Sequence, residues 1–218
     1  MENIDVMENS RNFYLNKIKP MIHEMFLQYE NRIAVGLVGE GSDCFAYYDN
    51  ISRDHDFGTG VCLWLTDEDY FKIGERLTSA YNEIAYKDSF HGLSERLRQR
   101  RGVMSIHDFY SNILCVDCDV EKCELSLNQW RVLEHSCLAT ATNGEVFKDD
   151  LKVFTNFRNY LLNHYPKEVY KERLAQELHN FSMTLQVNYA RCMTRKDYVT
   201  ANICKNDGIK AAMEIFSY

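Results

Sequence analysis

The chain has 218 residues, 45% hydrophobic and 13% aromatic, with two prolines and ten glycines, a balance that excludes a disordered or collagen-like chain. Its net charge of −7 excludes broad nucleic-acid binding, which needs a positive surface, but not a nucleotide whose phosphates are neutralised locally. No run of about 18 apolar residues offers a membrane span, the polar start Met1-Glu-Asn-Ile-Asp5 is unlike a signal peptide, and the eight cysteines then read as reduced thiols of a soluble, cytoplasmic protein.

In chain order, Phe13, Ile18, Met21, Ile22, Met25, Phe26 and Tyr29 recur at helical spacing and predict an amphipathic helix over residues 10–30, kinked or divided by Pro20. Arg32-Ile-Ala-Val-Gly-Leu-Val38 is a β-branched run that ends in glycines, the pattern of a buried strand feeding a tight turn. In that turn Gly39 and Gly41 can take positive φ and let a phosphate approach backbone N–H groups, and the Ser42 hydroxyl can donate to a phosphate oxygen. A second strand is predicted from Asp56 to Leu65. Asp54 and Asp56 stand at its entrance on one face, with His55 on the other. Two such carboxylates form an oxygen-rich site suited to Mg²⁺ (or Mn²⁺), although aspartates at a strand entrance are also common in plain turns. Thr66 then caps a helix reaching about Tyr86, with Asp67, Glu68 and Asp69 favouring its dipole.

Ser94-Glu-Arg-Leu-Arg-Gln-Arg-Arg101 is a basic cluster, read as a solvated helix face or as a source of one arginine (Arg96, Arg98, Arg100 or Arg101) for a polyanion. Gly102 to Asp108 reads as a third strand running into a short helix. Cys115-Val-Asp-Cys118, with Cys123, His135 and Cys137, has zinc-like ingredients without a second matched pair. Ser126 caps a predicted helix through Trp130, Leu133 and Leu138, Gly144 ends a turn after it, and Val146-Phe147 is briefly extended. Further helices are predicted over Leu151–Asn163, from Pro166 toward Arg195, and from Asp197. Strands gather before residue 110 and helices after 126, so the expected division is an α/β domain over 1–125 and a helical domain over 126–218.

Gly41-Ser42, a gap of about ten residues and then Asp54-x-Asp56 at a strand resembles the signature of the polymerase β superfamily of nucleotidyltransferases. Gly39-Glu-Gly-Ser-Asp43, Tyr48 to Gly58, Asn143-Gly-Glu-Val-Phe-Lys-Asp149 and Arg158 to Pro166 resemble domain-of-unknown-function family 4037, a branch of that superfamily, from about residue 10 onward. The resemblance implies an α/β (α+β) nucleotidyltransferase-like fold, a small mixed sheet flanked by helices and followed by a C-terminal helical domain. It implies a Mg²⁺-dependent enzyme that transfers a nucleoside monophosphate from an NTP to a hydroxyl acceptor and releases pyrophosphate. The acceptor would be a small molecule or a protein. Asp54 and Asp56 would be the catalytic and metal-binding residues, and Gly39, Gly41 and Ser42 the nucleotide-phosphate cradle. The superfamily's third carboxylate would fall near Met104 or Ser105, where none stands; Asp108 lies beyond. That departure keeps a second reading open, a catalytically inactive nucleotide- or partner-binding module. Glu40, Asp43 and Asp49 read as acceptor contacts or exposed loop carboxylates, and Arg53 as a partner of Asp54 or of a phosphate. The last residues, Met213 to Tyr218, stop inside an amphipathic pattern, which the resemblance reads as a shortened or truncated chain.

Overall fold

The computed structural model describes residues 6–47, 60–88, 100–163 and 165–217. Their contacts form two compact units, Met1–Leu125 with Ser136–Leu162, and Ser126–His135 with Asn163–Tyr218.

The first unit is built on a mixed four-stranded sheet ordered β3-β2-β1-β4. β1 (Ala34–Leu37) runs antiparallel to β2 (Cys62–Leu65), with Ala34 opposite Trp64 and Gly36 opposite Cys62. β3 (Gly102–Ser105) is parallel to β2, and β4 (Glu145–Lys148) is antiparallel to β1, with a register shift at Val35/Gly36. Every residue of β1 and β2 is buried, so their apolar runs reflect a sheet covered on both faces. One face carries Val35, Leu63 and Leu65 against the N-terminal helices and the long helix after β2. The other carries Trp64, whose ring stacks on Phe154 at 3.9 Å and meets Phe109 edge-on at 5.3 Å. β4 lies beyond residue 125 and still belongs to this sheet, where it pairs the edge of β1 that β2 leaves open.

Propensity explains most elements and tertiary contacts adjust them. The helix expected over 10–30 is α1 (Val6–Phe13), a π-helical turn (Tyr14–Ile18), α2 (Lys19–Met25) and a 3₁₀ turn (Leu27–Arg32). Pro20 supplies no N–H, and the wide turn lies just before it, with Lys19 N–H donating to Tyr14 O. α3 (Asp67–Asp88) starts as expected from Thr66, whose hydroxyl accepts from Asp69 N. Asp69 does more than favour the dipole: it is buried and accepts from Arg32 Nε at 2.8 Å, tying the approach to β1 to the start of α3. Ser105 ends β3 and caps α4 (Ile106–Leu114) by accepting from Asp108 N.

The helix expected through Leu138 is two: α5 (Leu127–Val132), opened by a capping box between Ser126 and Gln129, and α6 (His135–Thr142). They part at Leu133, which is fully buried with extended backbone, and Arg173 Nη2 donates to the freed carbonyls of Trp130 and Arg131. Asp149 caps α7 (Val153–Leu162), accepting from Lys152 N and Thr155 N. In the second unit α8 (Lys167–Phe181) continues through a π-helical stretch (Ser182–Tyr189) into α9 (Ala190–Thr194). Lys196 then turns the chain at φ 61°, and Asp197 accepts from Thr200 N to cap α10 (Tyr198–Ser217). No described helix is long and apolar enough to cross a membrane.

Trp64 is fully buried, and among the described residues its indole N–H has no hydrogen-bond partner. Trp64→Ala is therefore expected to lower the unfolding free energy by about 3–5 kcal/mol, with Trp64→Phe costing much less because a stacked ring remains and no polar atom is left buried. Urea unfolding of both variants checks this.

Candidate functional site

At the C-terminal end of β1 the chain turns through Val38 to Ser42 into a 3₁₀ turn (Ser42–Phe45). Because β1 and β2 are antiparallel, this bend lies beside the start of β2, and the parallel register of β3 brings Arg100 and Arg101 to the same end. Gly39 and Gly41 have φ of 115° and 127°, as the expected cradle requires, and a Cβ on Gly41 would collide with Asp43 Oδ1. Gly39 is buried, Gly41 half-buried and Ser42 exposed.

Both arginines face carboxylates of the turn. Arg101 Nη2 is paired with Asp43 Oδ2 and both residues are buried; Arg100 Nη1 is paired with Glu40 Oε2 nearer the surface. Burial opposes the Arg101 charge, but the adjacent Asp43 carboxylate more than offsets it and holds the guanidinium pKa above its ordinary value. Burial alone pulls Arg100 down. Asp43 is thus no exposed loop carboxylate, and Arg101 is no part of a solvated helix face. Asp43 also organises the turn: Cys44 N donates to Asp43 Oδ1 at 3.0 Å and to Gly41 O at 3.1 Å. The thiols below are inert, with burial pushing Cys44 well up and Cys62 up to about 11.

A third element closes on the turn from the segment before β4. Gly39 N donates to Asn143 Oδ1 at 2.8 Å, and Asn143 Nδ2 donates back to Gly39 O at 2.8 Å. Gly144 N donates to Cys44 O at 3.0 Å. Gly144 has φ 60°, and any Cβ there would collide with the Leu37 carbonyl oxygen. Arg158 Nη2 holds the segment by donating to Thr142 O at 2.5 Å. Sequence reasoning gave Asn143 and Arg158 no structural role and Gly144 only the end of a turn. Asn143-Gly144 is a turn dipeptide, but nothing local names a partner 104 residues away.

Asp54 and Asp56, the proposed catalytic and metal-binding pair, lie outside the described residues, as do Asp49, Arg53, Arg96 and Arg98. By chemistry two aspartates fit a hard cation, whereas Glu40 and Asp43 are each engaged by an arginine. β3 brings no carboxylate: Gly102-Val-Met-Ser105 lies in register with Cys62–Leu65, and Ser105 serves as a helix cap. Asp108 sits on the first turn of α4, beyond the opposite end of β3, about 10 Å of strand away from the turn. There His107 Nε2 lies 2.8 Å from Asp117 Oδ1, which raises the imidazole pKa.

The cysteine knuckle is not gathered. Cys118 is buried and its thiol donates to Val116 O, Cys123 Sγ donates to Val120 O, and Cys115 is exposed. Among the described residues no group of three or more His, Cys, Asp or Glu is placed to hold a metal ion.

Residues 130–217 match the model of the family described as domain of unknown function (DUF4037), a span that takes in Asn143, Gly144 and Arg158 but not the glycine turn. No curated protein matches the chain. No solved structure matches it.

Removing one partner of a buried ion pair strands the other charge, so Asp43→Ala is expected to destabilise the protein by about 3–5 kcal/mol. The double variant Asp43→Ala/Arg101→Met should recover much of that loss in chemical denaturation; equal losses would contradict the pairing. Burial raises the Cys118 pKa to about 11 and so leaves almost no thiolate at pH 8. Iodoacetamide at pH 8 is therefore expected to label exposed Cys115 and spare Cys118 until the protein unfolds, as peptide mass spectrometry would show.

Proposed function

We propose that this chain, whose residues 130–217 are assigned to DUF4037, is a Mg²⁺-dependent nucleotidyltransferase that moves a nucleoside monophosphate from an NTP to a hydroxyl acceptor. The observation that carries the reading is the pre-shaped bend at the end of β1. Two glycines at positive φ and an exposed serine stand beside the start of β2, the strand that follows Asp54-x-Asp56 in the sequence. Phosphates would lie over Gly41 and Ser42, where a hydroxyl can donate and the Asp43 carboxylate beside Gly41 is neutralised by Arg101. Arg100 is only partly buried and can exchange Glu40 for a phosphate oxygen. Asp54 and Asp56 would hold the cation. When bound, Mg²⁺ would supply charge neutralisation to the triphosphate and lower the pKa of the acceptor hydroxyl. The acceptor oxygen forms a bond to the α-phosphorus, the bond to the bridging oxygen breaks, pyrophosphate leaves, and the hydroxyl proton passes to solvent. Gly41 and Ser42 orient the phosphates in line for that displacement, and Gly39, expected to offer its N–H to them, instead shapes the bend behind them because that N–H is held by Asn143.

A specific observation favours a second reading. β3 supplies no carboxylate to share in deprotonating the acceptor, and its Ser105 is committed to capping α4. On that reading the chain binds a nucleotide without turning it over.

Calorimetry with Mg²⁺ and each of ATP, GTP, CTP and UTP, run beside a pyrophosphate-release assay on cell-extract acceptors, separates the two. The expected result is binding and release, with Asp54→Asn reducing release by about a hundredfold or more while the fold is retained. Binding without release from any extract supports the module, and no binding of any nucleotide overturns both.

A further inference from the structure

The phosphate cradle does not account for why its first peptide is gripped by a side chain 104 residues away. We propose that Asn143 is the positioning residue of the glycine turn: its carboxamide holds the two peptide groups that flank the Gly39 Cα in the one arrangement that presents Gly41 and Ser42 outward. The clamp stands on its own geometry; its effect on phosphate binding rests on the nucleotide reading above.

The two 2.8 Å bonds run in opposite senses between one carboxamide and the two peptide groups that flank the Gly39 Cα, the N–H of the first and the C=O of the second, so together they set φ and ψ of Gly39 as well as its position. A glycine needs this more than any other residue, because both signs of φ are open to it and Gly39 sits at 115°. Asparagine is the shortest side chain carrying a donor and an acceptor in one plane. Aspartate would accept from Gly39 N but not donate to Gly39 O, and alanine would take the side-chain partner from both the N–H and the C=O of the buried Gly39. The other end of the turn is closed by the next residue, through Gly144 N to Cys44 O. The missing Cβ of Gly144 lets the segment come this close, and Arg158 secures it from behind through the Thr142 carbonyl. With Gly39 held by Asn143, and Cys44 by Asp43, Gly41 and Gly144, the exposed Ser42 is the part of the bend turned to solvent. The clamping residues fall within 130–217 and the turn falls outside, so the DUF4037 segment shapes a bend contributed by the preceding chain.

The test uses the full chain and three variants. Asn143→Ala removes both bonds, Asn143→Asp keeps the acceptor, and Thr155→Val loses a hydroxyl bond to Asp149 in the same unit without touching the turn. Amide hydrogen exchange at Gly39 is read by NMR, and affinity for Mg²⁺ with each of the four NTPs by calorimetry. Asn143→Ala is expected to speed Gly39 exchange about tenfold and weaken the tightest nucleotide about tenfold. Asn143→Asp should fall between wild type and alanine in exchange, and Thr155→Val should match wild type in both readouts. Unchanged Gly39 exchange in Asn143→Ala overturns the clamp whatever the wild type binds. Faster exchange with unaltered nucleotide affinity overturns the positioning role. Faster exchange in a protein whose wild type binds no nucleotide upholds the clamp and removes the nucleotide reading instead. If Asn143→Ala does not fold, Asn143→Asp carries the same comparison.

Discussion

The reciprocal pair of hydrogen bonds between the Asn143 carboxamide and the backbone N–H and C=O of Gly39 is the constraint on which the candidate site depends. A turn with two glycines at positive φ has many conformations of similar energy, and each bond that selects one of them contributes about 1 kcal/mol net. Here the selection is made from three directions. Asn143 and Gly144 grip the two ends, Asp43 folds under the middle, and Arg101 neutralises Asp43 from β3. The buried pair adds geometric definition more than stability, because withdrawing both charges from water offsets much of their attraction. The bend is therefore rigid where the protein grips it and open at Ser42.

The sheet makes these approaches possible. β1 is central, so the end of β1 is flanked by β2 with β3 on one side and by β4 on the other. Strand pairing delivers Arg101 from one flank and Asn143 from the other. The stack of Trp64 on Phe154 holds α7 against the sheet, and α7 carries Arg158 back to the 142–144 carbonyls. Core packing and site geometry are the same set of contacts seen from two ends. Of the residues matched by the DUF4037 model, Asn143 and Gly144 bond directly to the turn that the preceding chain contributes.

For function, the contrast lies between the two ends of the sheet. At the glycine end, arginines, carboxylates and positive-φ glycines converge on one bend. At the Ser105 end, His107, Asp108 and Asp117 cluster, but the β3 hydroxyl is engaged in capping. The proposed phosphate would meet the first end at the exposed Ser42 and at Arg100, in exchange for Glu40, because Arg101 is already committed to Asp43. β3 carries no carboxylate, and this observation divides the two proposed readings, transferase and nucleotide-binding module, on chemical grounds.

By itself the sequence determined what short-range physics decides. The apolar runs of β1 and β2, the strand at Gly102, the Thr66 and Ser126 caps, the Asp197 start and the positive φ of Gly39 and Gly41 all follow from side-chain size, periodicity and local hydrogen bonding. Where a distant group competed, local reading fell short. Pro20 was legible, but the π-helical turn ahead of it was not. The break at Leu133 depends on burial of that side chain and on Arg173 collecting the freed carbonyls. Asp43 and Arg101 read as loop acid and surface base and Asn143 had no structural role, because composition cannot say which charge loses its water or which carboxamide meets which backbone groups. Only the tertiary structure decided those roles: their partners lie 58 and 104 residues away, and chain folding rather than sequence spacing brings them within hydrogen-bond reach.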